Sequence, residues 1–600
     1  MKVQHWIFAG CLIGVVIAGG KATAGPAAQA LPMQFMTSSA PLEAPVDNAA
    51  FIPADDAAKA ADFAGTLKIA QSAMKTQPEL KKPIQDGRDA RLFPGITLRL
   101  FTVGDRLAAS EFGEMVKETA PGKTPSYWRV IPQIGRVWRE PGDGDWSRAA
   151  LPLMLVNDTE NHAHQGLATF LYKNGKVTAL RLQFVQQTAP YLLQHFVAWG
   201  TAPVALTSGI TGDLDAMRKT VTAELDGRLP AKRWAELVEN APPNTLDGFG
   251  GPLKTQWIVT QALVRDGALY YQDSQTPYGP YPYPLEMRFG VRSVTKAVTA
   301  PLALLRLAQT YGPWVLTLKI GDYVKGIDPK YAHVRFVDAA DMATGMGGAG
   351  TLKTNPNNYD DGYLLNDYDA WYTAPSFNEK IKQIARLKPY PWQPGTVVRY
   401  MDQDYFLLGA ALDAFLKSVR GPQADIWGMV KTEVLAPIGV AHAPLVRTRE
   451  PGGKDGIAWF NAGYYPTMDD LAKIAMLYRD LGAHDGKQLL NRALTAEVMQ
   501  ADDALRKDSD NSIDRGKPTD DGTPGEELYH LGFYSVPVIS TETGKRVYLP
   551  TMHGSGNNRV ILFPNGLISI RMAKSPDDES ANERIKGMTT VDAVQRLAPF

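Results

Sequence analysis

Between residues 91 and 206 apolar and polar side chains alternate in short runs, the two-residue period of strands that turn one face inward. Residues 151–156, 167–172 and 176–185 carry it most clearly. Asn174-Gly175, between the last two, suits a tight hairpin turn whose central residues both take positive φ. The period then lengthens to that of helices over 214–225 and 231–239, and Pro242-Pro243 stops it. This shift predicts a boundary between residues 207 and 250, with a β-rich domain over 63–245 and a second domain over 246–600. Residues 25–62, rich in Ala and Pro and without a sustained period, read as a flexible lead-in.

The second half mixes the two periods. Residues 257–264 and 268–272 flank Asp266-Gly267 as a hairpin, and a Tyr/Pro-rich loop follows over 278–284. Its tyrosines, with Tyr270 and Tyr271, suit a substrate groove and a packed loop equally. A helix is predicted to open near Ser293 and to run to about residue 310, where Gly312-Pro313 ends it. Pro301 should kink it after its second turn. Further helices are expected over 406–416 and 468–478, and strands over 546–549, 560–563 and 567–572, with Asn565-Gly566 turning the last pair. Strands at both ends enclose helices, so the fold class is mixed, α/β or α+β, with one sheet built from early and late segments. Residues 505–527, dense in Asp, Lys, Gly and Pro, read as an exposed loop.

Composition narrows the class. At 600 residues the chain is too long for a single core, and its 44% hydrophobic and 21% charged content is that of a globular protein. The 63 basic and 63 acidic residues cancel, so the basic excess of a nucleic-acid binder is missing and no such partner is expected. Lys2, an apolar run over 6–18 and the small residues Ala22-Thr23-Ala24 have the layout of a secretory signal cleaved after Ala24. That run is shorter than the roughly 20 residues of a spanning helix. A periplasmic or secreted protein with no stable membrane insertion is therefore expected. The sole cysteine, Cys11, falls inside the signal, which removes disulfides, a cysteine nucleophile and a cysteine zinc site from the mature chain. His162 and His164 lack a third ligand in view and read as part of a solvated hairpin. No metal and no organic cofactor is expected.

Chemistry gathers around Ser293-Val294-Thr295-Lys296. At a helix start, residues three apart share a face, so the lysine amine can lie beside the serine hydroxyl. A desolvated lysine of lowered pKa can take the proton that makes serine a nucleophile, and the free N–H groups of the first turn favour negative charge at the reacting centre. The tetrad by itself is a weak signal, since about one chance match is unsurprising at this length. Ser72-Ala73-Met74-Lys75, with no partner motifs in its domain, reads as that chance match. Gly345-Met346-Gly347-Gly348-Ala349-Gly350 fits the dinucleotide fingerprint in letters but lacks its strand, helix and acidic residue, and no Gly-x-Ser-x-Gly elbow is present.

Four further segments follow Ser293 in order. They are Ala343-Thr344-Gly345-Met346; Pro394-Gly395 leading through Tyr400-Met401-Asp402 to Tyr405-Phe406-Leu407-Leu408-Gly409; Gly463 through Thr467 to Asp470-Leu471; and His553-Gly554-Ser555-Gly556. With the stretch 288–296, these resemble the motifs of the penicillin-binding-protein and β-lactamase superfamily of serine hydrolases, on the side of class C β-lactamases and family VIII esterases. The resemblance covers about residues 250–600. It implies a β-lactamase/transpeptidase-like catalytic domain with a sheet and a helical subdomain, and it implies roles. Ser293 is the nucleophile, Lys296 and Tyr400 share the proton work, and His553 orients substrate or supports Tyr400. The oxyanion is held by the Ser293 N–H and a donor from the late strand. Two departures stand out. Asp402 replaces the family's asparagine, bringing a negative charge toward Lys296 and Tyr400. The His-x-Gly element has Ser555 in its third place, so the second oxyanion donor is Ser555 or Gly556, depending on whether the tripeptide is Met552-His553-Gly554 or the one after it.

The sequence thus reads as an exported serine hydrolase acting on an ester or amide of a small or peptide-like acyl substrate. A DD-peptidase or β-lactamase acting on peptidoglycan-like or β-lactam substrates is the alternative among enzymes. An acyl-binding or sensing module with little turnover is the alternative outside them.

Overall fold

The alternating segments of the first half form one sheet of twelve strands, antiparallel at every pairing. The structure, a computed structural model, describes residues 30–251, 253–347, 368–390, 393–396, 398–499, 528–575 and 589–600. At the centre of this first sheet lie Ser147–Val156, Ala163–Lys173 and Leu180–Thr188, buried at nearly every position. Burial on both faces has a simple cause. Leu151, Leu153 and Leu155 enter a core private to this half, while Ala150, Met154 and Val156 enter a core shared with the helices of the second half. Each fully buried Leu, Val or Met contributes about 1.5–3 kcal/mol, so the shared face joins the two halves firmly.

The second sheet has eight strands in the order Ala231–Arg233, Ala268–Tyr271, Ile258–Arg265, Ile568–Ala573, Asn558–Leu562, Arg546–Gly554, Phe533–Ile539 and Leu528–His530. The antiparallel pairing of Ile258–Arg265 with Ile568–Ala573 joins early chain to late chain. The class is therefore α+β, with a sheet closed by its first and last segments. Val294–Val298, Ala300–Tyr311, Asp402–Arg420 and Met468–Arg479 are the helices packed with it that position the site. Among the described residues, no helix is long and apolar enough to cross a membrane.

Several expectations need correction. The helix expected from Ser293 is two helices, broken at Thr299 (φ −88°, ψ −74°) rather than bent after a second turn. A proline ring clashes with the carbonyl of the preceding turn, so the break comes ahead of Pro301, which stands in the first turn of the second helix. Residues 231–233 are not helical: they pair in parallel with Ala268–Tyr271, and only Trp234–Glu239 is helix. Residues 176–185 divide into Lys176–Val177 and Leu180–Thr188.

The lead-in is not a free tether over its described part. Leu31, Met36 and Phe51 enter the shared core, and Arg148, Arg181 and Gln183 donate to the Leu31, Phe35 and Val46 carbonyls. Its anchors are irregularly spaced, so no period reveals them. In the Tyr/Pro loop, Tyr281 and Tyr283 are buried and donate to the Gly166 and Phe51 carbonyls, which makes it a packed loop and not a groove wall. The signal segment and the 505–527 loop lie outside the described residues.

Candidate active site

Ser293 is the N-cap of the Val294–Val298 helix, so the first turn sets Lys296 directly above it. Lys296 Nζ lies 2.8 Å from Ser293 Oγ, 2.5 Å from Asp402 Oδ1 and 3.0 Å from the Asn461 carbonyl. An ammonium has three N–H donors, and each has an acceptor here. Lys296 and Asp402 are both buried. Burial pulls the lysine below its ordinary range, while the charge and hydrogen bond of Asp402 pull it back up. Breaking such a buried pair by deleting one partner costs about 3–5 kcal/mol, so the two are bound to one another structurally as well as electrostatically.

Asp402 opens the Asp402–Arg420 helix, where the free N–H groups of the first turn favour its carboxylate. Its other oxygen accepts a 2.6 Å hydrogen bond from the Tyr368 hydroxyl. Burial, then the Asp402 charge, hold that hydroxyl well above the ordinary tyrosine range, so it stays a donor. Tyr368 begins the short helix Tyr368–Thr373, whose last carbonyls are capped by a buried lysine. Lys380 Nζ donates to Trp371 O and Tyr372 O at 2.9 Å each and lies 4.1 Å from the Trp459 ring centre. The ring centre of Tyr400 lies 4.8 Å from Lys296 Nζ, and that of Tyr405 5.8 Å, so aromatic faces close the remaining sides of the ammonium.

The late strand Arg546–Gly554 ends against the Ser293 backbone. A Cβ on Gly554 would fall 2.2 Å from Val291 O and 3.2 Å from the Ser293 N, so only glycine fits this crossing. The close-approach glycine is thus Gly554, and Met552-His553-Gly554 is the tripeptide in register with it. Ser555 follows as the first residue of the Ser555–Asn557 turn; Gly556, at φ +82°, lies further round, toward Ala573. His553 is buried on the strand, its ring 5.8 Å from Tyr534 in edge-on contact.

The structure therefore brings Ser293, Lys296, Tyr400 and Asp402 together, with the Gly554–Ser555 backbone alongside. Gly556 stands apart in the turn. Sequence reasoning missed Tyr368, the Asn461 carbonyl and Asn161, whose side chain accepts from the Arg292 N–H at 2.6 Å. None of them belongs to a period or a motif. Arg292, just before Ser293, sits at φ +51°, a left-handed conformation that costs a side-chain-bearing residue about 1–2 kcal/mol, and the residues around it in sequence give no sign of that turn.

His162 and His164 also need correction, since both are wholly buried rather than solvated. His162 Nε2 lies 2.9 Å from Gln187 Nε2, and His164 packs edge-on to Phe196. Burial, with His162 nearby, holds His164 well below the ordinary histidine range. Among the described residues no group of three or more His, Cys, Asp or Glu is placed to hold a metal ion. The other Ser-x-x-Lys tetrad is spread along an extended chain, with Ser72 Oγ donating to Ala70 O at 3.0 Å and Lys75 paired with Glu43.

No family model matches the chain, and no curated protein matches it. Solved structures are similar to it over most of their own length. A protein named as a 6-aminohexanoate-dimer hydrolase from Bacillus anthracis is 18% identical over 62% of this chain and 88% of that one, with a TM-score of 0.42. EstCE1, a hydrolase with promiscuous acyltransferase activity, is 14% identical over 60% and 98%, with a TM-score of 0.38. An octameric penicillin-binding protein homologue from Pyrococcus abyssi is 16% identical over 58% and 75%, with a TM-score of 0.37. At these scores each is a similarity and no more; the chemistry rests on the side chains.

Proposed function

We propose that the chain is a serine hydrolase that cleaves an ester or amide through an acyl-enzyme on Ser293. The observation that carries this reading is the buried Lys296 amine held between Ser293 Oγ and Asp402. A neutral amine has two N–H bonds and one lone pair. Directed by Asp402 and the Asn461 carbonyl, the two N–H bonds leave the lone pair facing the serine hydroxyl. Burial supports the neutral state by lowering the lysine pKa.

In the first step the Ser293 proton passes to Lys296 as Oγ attacks the acyl carbon. The Ser293 and Ser555 backbone N–H groups are the donors to the developing oxyanion, a role supported by the contact of Gly554 with Ser293 N. Tyr400, packed on Lys296, carries the proton to the leaving alkoxide or amine, and water then releases the acyl group by the same route in reverse. Asp402 stands where the resembled family has asparagine. A carboxylate repels an acyl substrate's carboxylate and offers no amide donor, which favours a neutral ester over a β-lactam or a peptidoglycan stem. Residues 1–24 complete the proposal as a cleaved export signal, so the mature chain should begin at Gly25 by mass.

The test is a fluorophosphonate probe with tryptic mapping, followed by p-nitrophenyl esters, nitrocefin and D-Ala-D-Ala peptides as substrates. The expected result is an adduct on Ser293 and turnover of the esters. An adduct elsewhere overturns the nucleophile, and labelling without turnover of any member of the panel favours the acyl-binding module instead.

A further inference from the structure

The segment that delivers Ser293 is held from both halves of the molecule: the Phe289 N–H donates to Pro466 O at 2.9 Å and Arg288 pairs with Asp470 within its own half, while the first half holds Arg292 and Gly290. Arg292 is left-handed at φ +51°, and its N–H donates to Asn161 Oδ1 at 2.6 Å. Asn161 is fully buried, and its Nδ2 donates to the Tyr464 carbonyl at 3.2 Å. Tyr464 is three residues beyond Asn461, whose carbonyl holds Lys296, and its own N–H donates to Thr295 Oγ1 at 3.2 Å. The Arg292 guanidinium donates to Ala189 O at 3.0 Å and to Pro190 O at 2.8 Å, and lies 5.3 Å from the Tyr191 ring centre. Gly290 donates to Thr188 Oγ1 at 3.1 Å, and a Cβ on it would fall 1.9 Å from Asn161 O. The Gln165 amide donates to Arg288 O. Asn161, Gln165, Thr188, Ala189, Pro190 and Tyr191 all belong to the first sheet or its loops.

We propose that the amino-terminal sheet is a clamp on the nucleophile, with Asn161 as the positioning residue that holds Arg292 left-handed and so aims Ser293. The inference rests on the reading of Ser293 as nucleophile. Its physical content is direct. The orientation of the Ser293 N–H and of Cα–Cβ follows from the backbone angles at Arg292, which an arginine does not adopt unassisted. Asn161 supplies the acceptor that this turn needs, and its other arm ties the turn to the segment that holds Lys296. The sheet is therefore a working part of the catalytic unit and not a separate module beside it.

The experiment measures, in the full-length chain, the rate of fluorophosphonate labelling and kcat and KM on one ester. Asn161→Ala should lower both the labelling rate and kcat by about 10- to 100-fold, as a misplacement near 1 Å does, with KM changing less than about threefold. Mapping the adduct in the unaltered chain separates the two readings. Label on another residue overturns the nucleophile, whereas label on Ser293 at an unaltered rate in Asn161→Ala overturns the clamp alone. Arg292→Gly provides the discriminating background, because glycine takes positive φ without a Cβ penalty. The loss caused by Asn161→Ala should shrink to about threefold or less in that background. An equal loss in both backgrounds would show that Asn161 acts through general packing, and would overturn the proposal. Should Asn161→Ala fail to fold, Thr188→Val carries the test: a fall of about fivefold or more in labelling supports the clamp, and an unaltered rate overturns it.

Discussion

The chain contains the same four-residue pattern twice, and the two copies do different things. At Ser293-Val294-Thr295-Lys296 the backbone is helical and the two polar ends meet at 2.8 Å in a buried site. At Ser72-Ala73-Met74-Lys75 the backbone is extended. Residues three apart there are separated by about 10 Å and point to opposite faces, and each side chain finds its own partner. Ser-x-x-Lys therefore brings its two polar ends together only where the chain coils, and the proposed chemistry further needs desolvation to lower the lysine pKa. Around Lys296 burial supplies the second condition, and Asp402 moderates it. Lys75 is well exposed and has no such environment.

The sharpest break of the comparison is the pair of serine substitutions. Ser293→Ala should lower kcat at least about ten-thousandfold and abolish probe labelling, while Ser72→Ala should stay within about twofold, both read on one p-nitrophenyl ester. Loss of labelling in Ser72→Ala would reverse the assignment of the two tetrads. Next in size is Gly554→Ala, whose Cβ has no room beside Val291 O. Displacing the strand should remove one oxyanion donor and cost about 10²- to 10³-fold in kcat; near-normal kcat would show that the strand does not serve the oxyanion.

Asp402→Asn tests the moderation of the lysine. Asp402 raises the Lys296 pKa against burial, and in the proposed mechanism the active form has lost that proton. Removing the charge must lower the pKa, so the acidic limb of kcat/KM should move to lower pH, by about 1 unit or more at this separation. A limb that stays put or moves upward, measured from pH 5 to 9, would show that another group governs it. The smallest effect belongs to Tyr368→Phe. Its hydroxyl donates to Asp402, and losing that bond leaves a fuller negative charge facing Lys296. The limb should then move the other way, upward by about 0.3 units, and a downward shift would show that Tyr368 does not temper the Asp402 charge.

The parts legible in the sequence share a property: their information is local. The strands around Asn174-Gly175, the hairpin at Asp266-Gly267 and the helix expected over 468–478 are written within a few residues. The pairing of Ser293 with Lys296 is local too, and Tyr400 with Asp402 came into view through the ordered motifs. Asn161, Tyr368 and the Asn461 carbonyl were not legible. They reach the site across 132, 75 and 168 positions of chain from Ser293 respectively, counted from the numbering, and no periodicity spans such gaps. His162 and His164 were misplaced for a related reason: they turn to the inner face, against Trp128, Phe184 and Phe196 of the first half's own core, and no period shows which distant segments bring those rings to them.

By itself, then, the sequence determined the central strands of the first half, the late strands and the helices within Asp402–Arg420 and Met468–Arg479, that early and late strands share a sheet, and which serine and lysine can meet on a helical turn. These follow from backbone sterics and from the two periods at which side chains reach a common face. Tertiary structure alone decided the rest. It chose Gly554 as the crossing point, because there a strand presses on the Ser293 backbone. It drew Tyr368 to Asp402 through a helix capped by a lysine buried among tryptophans. It also let an arginine stand left-handed before the nucleophile, where local propensity favours glycine. That choice costs free energy which only contacts from distant chain can offset, and contacts between distant segments leave no trace in the order of neighbouring residues.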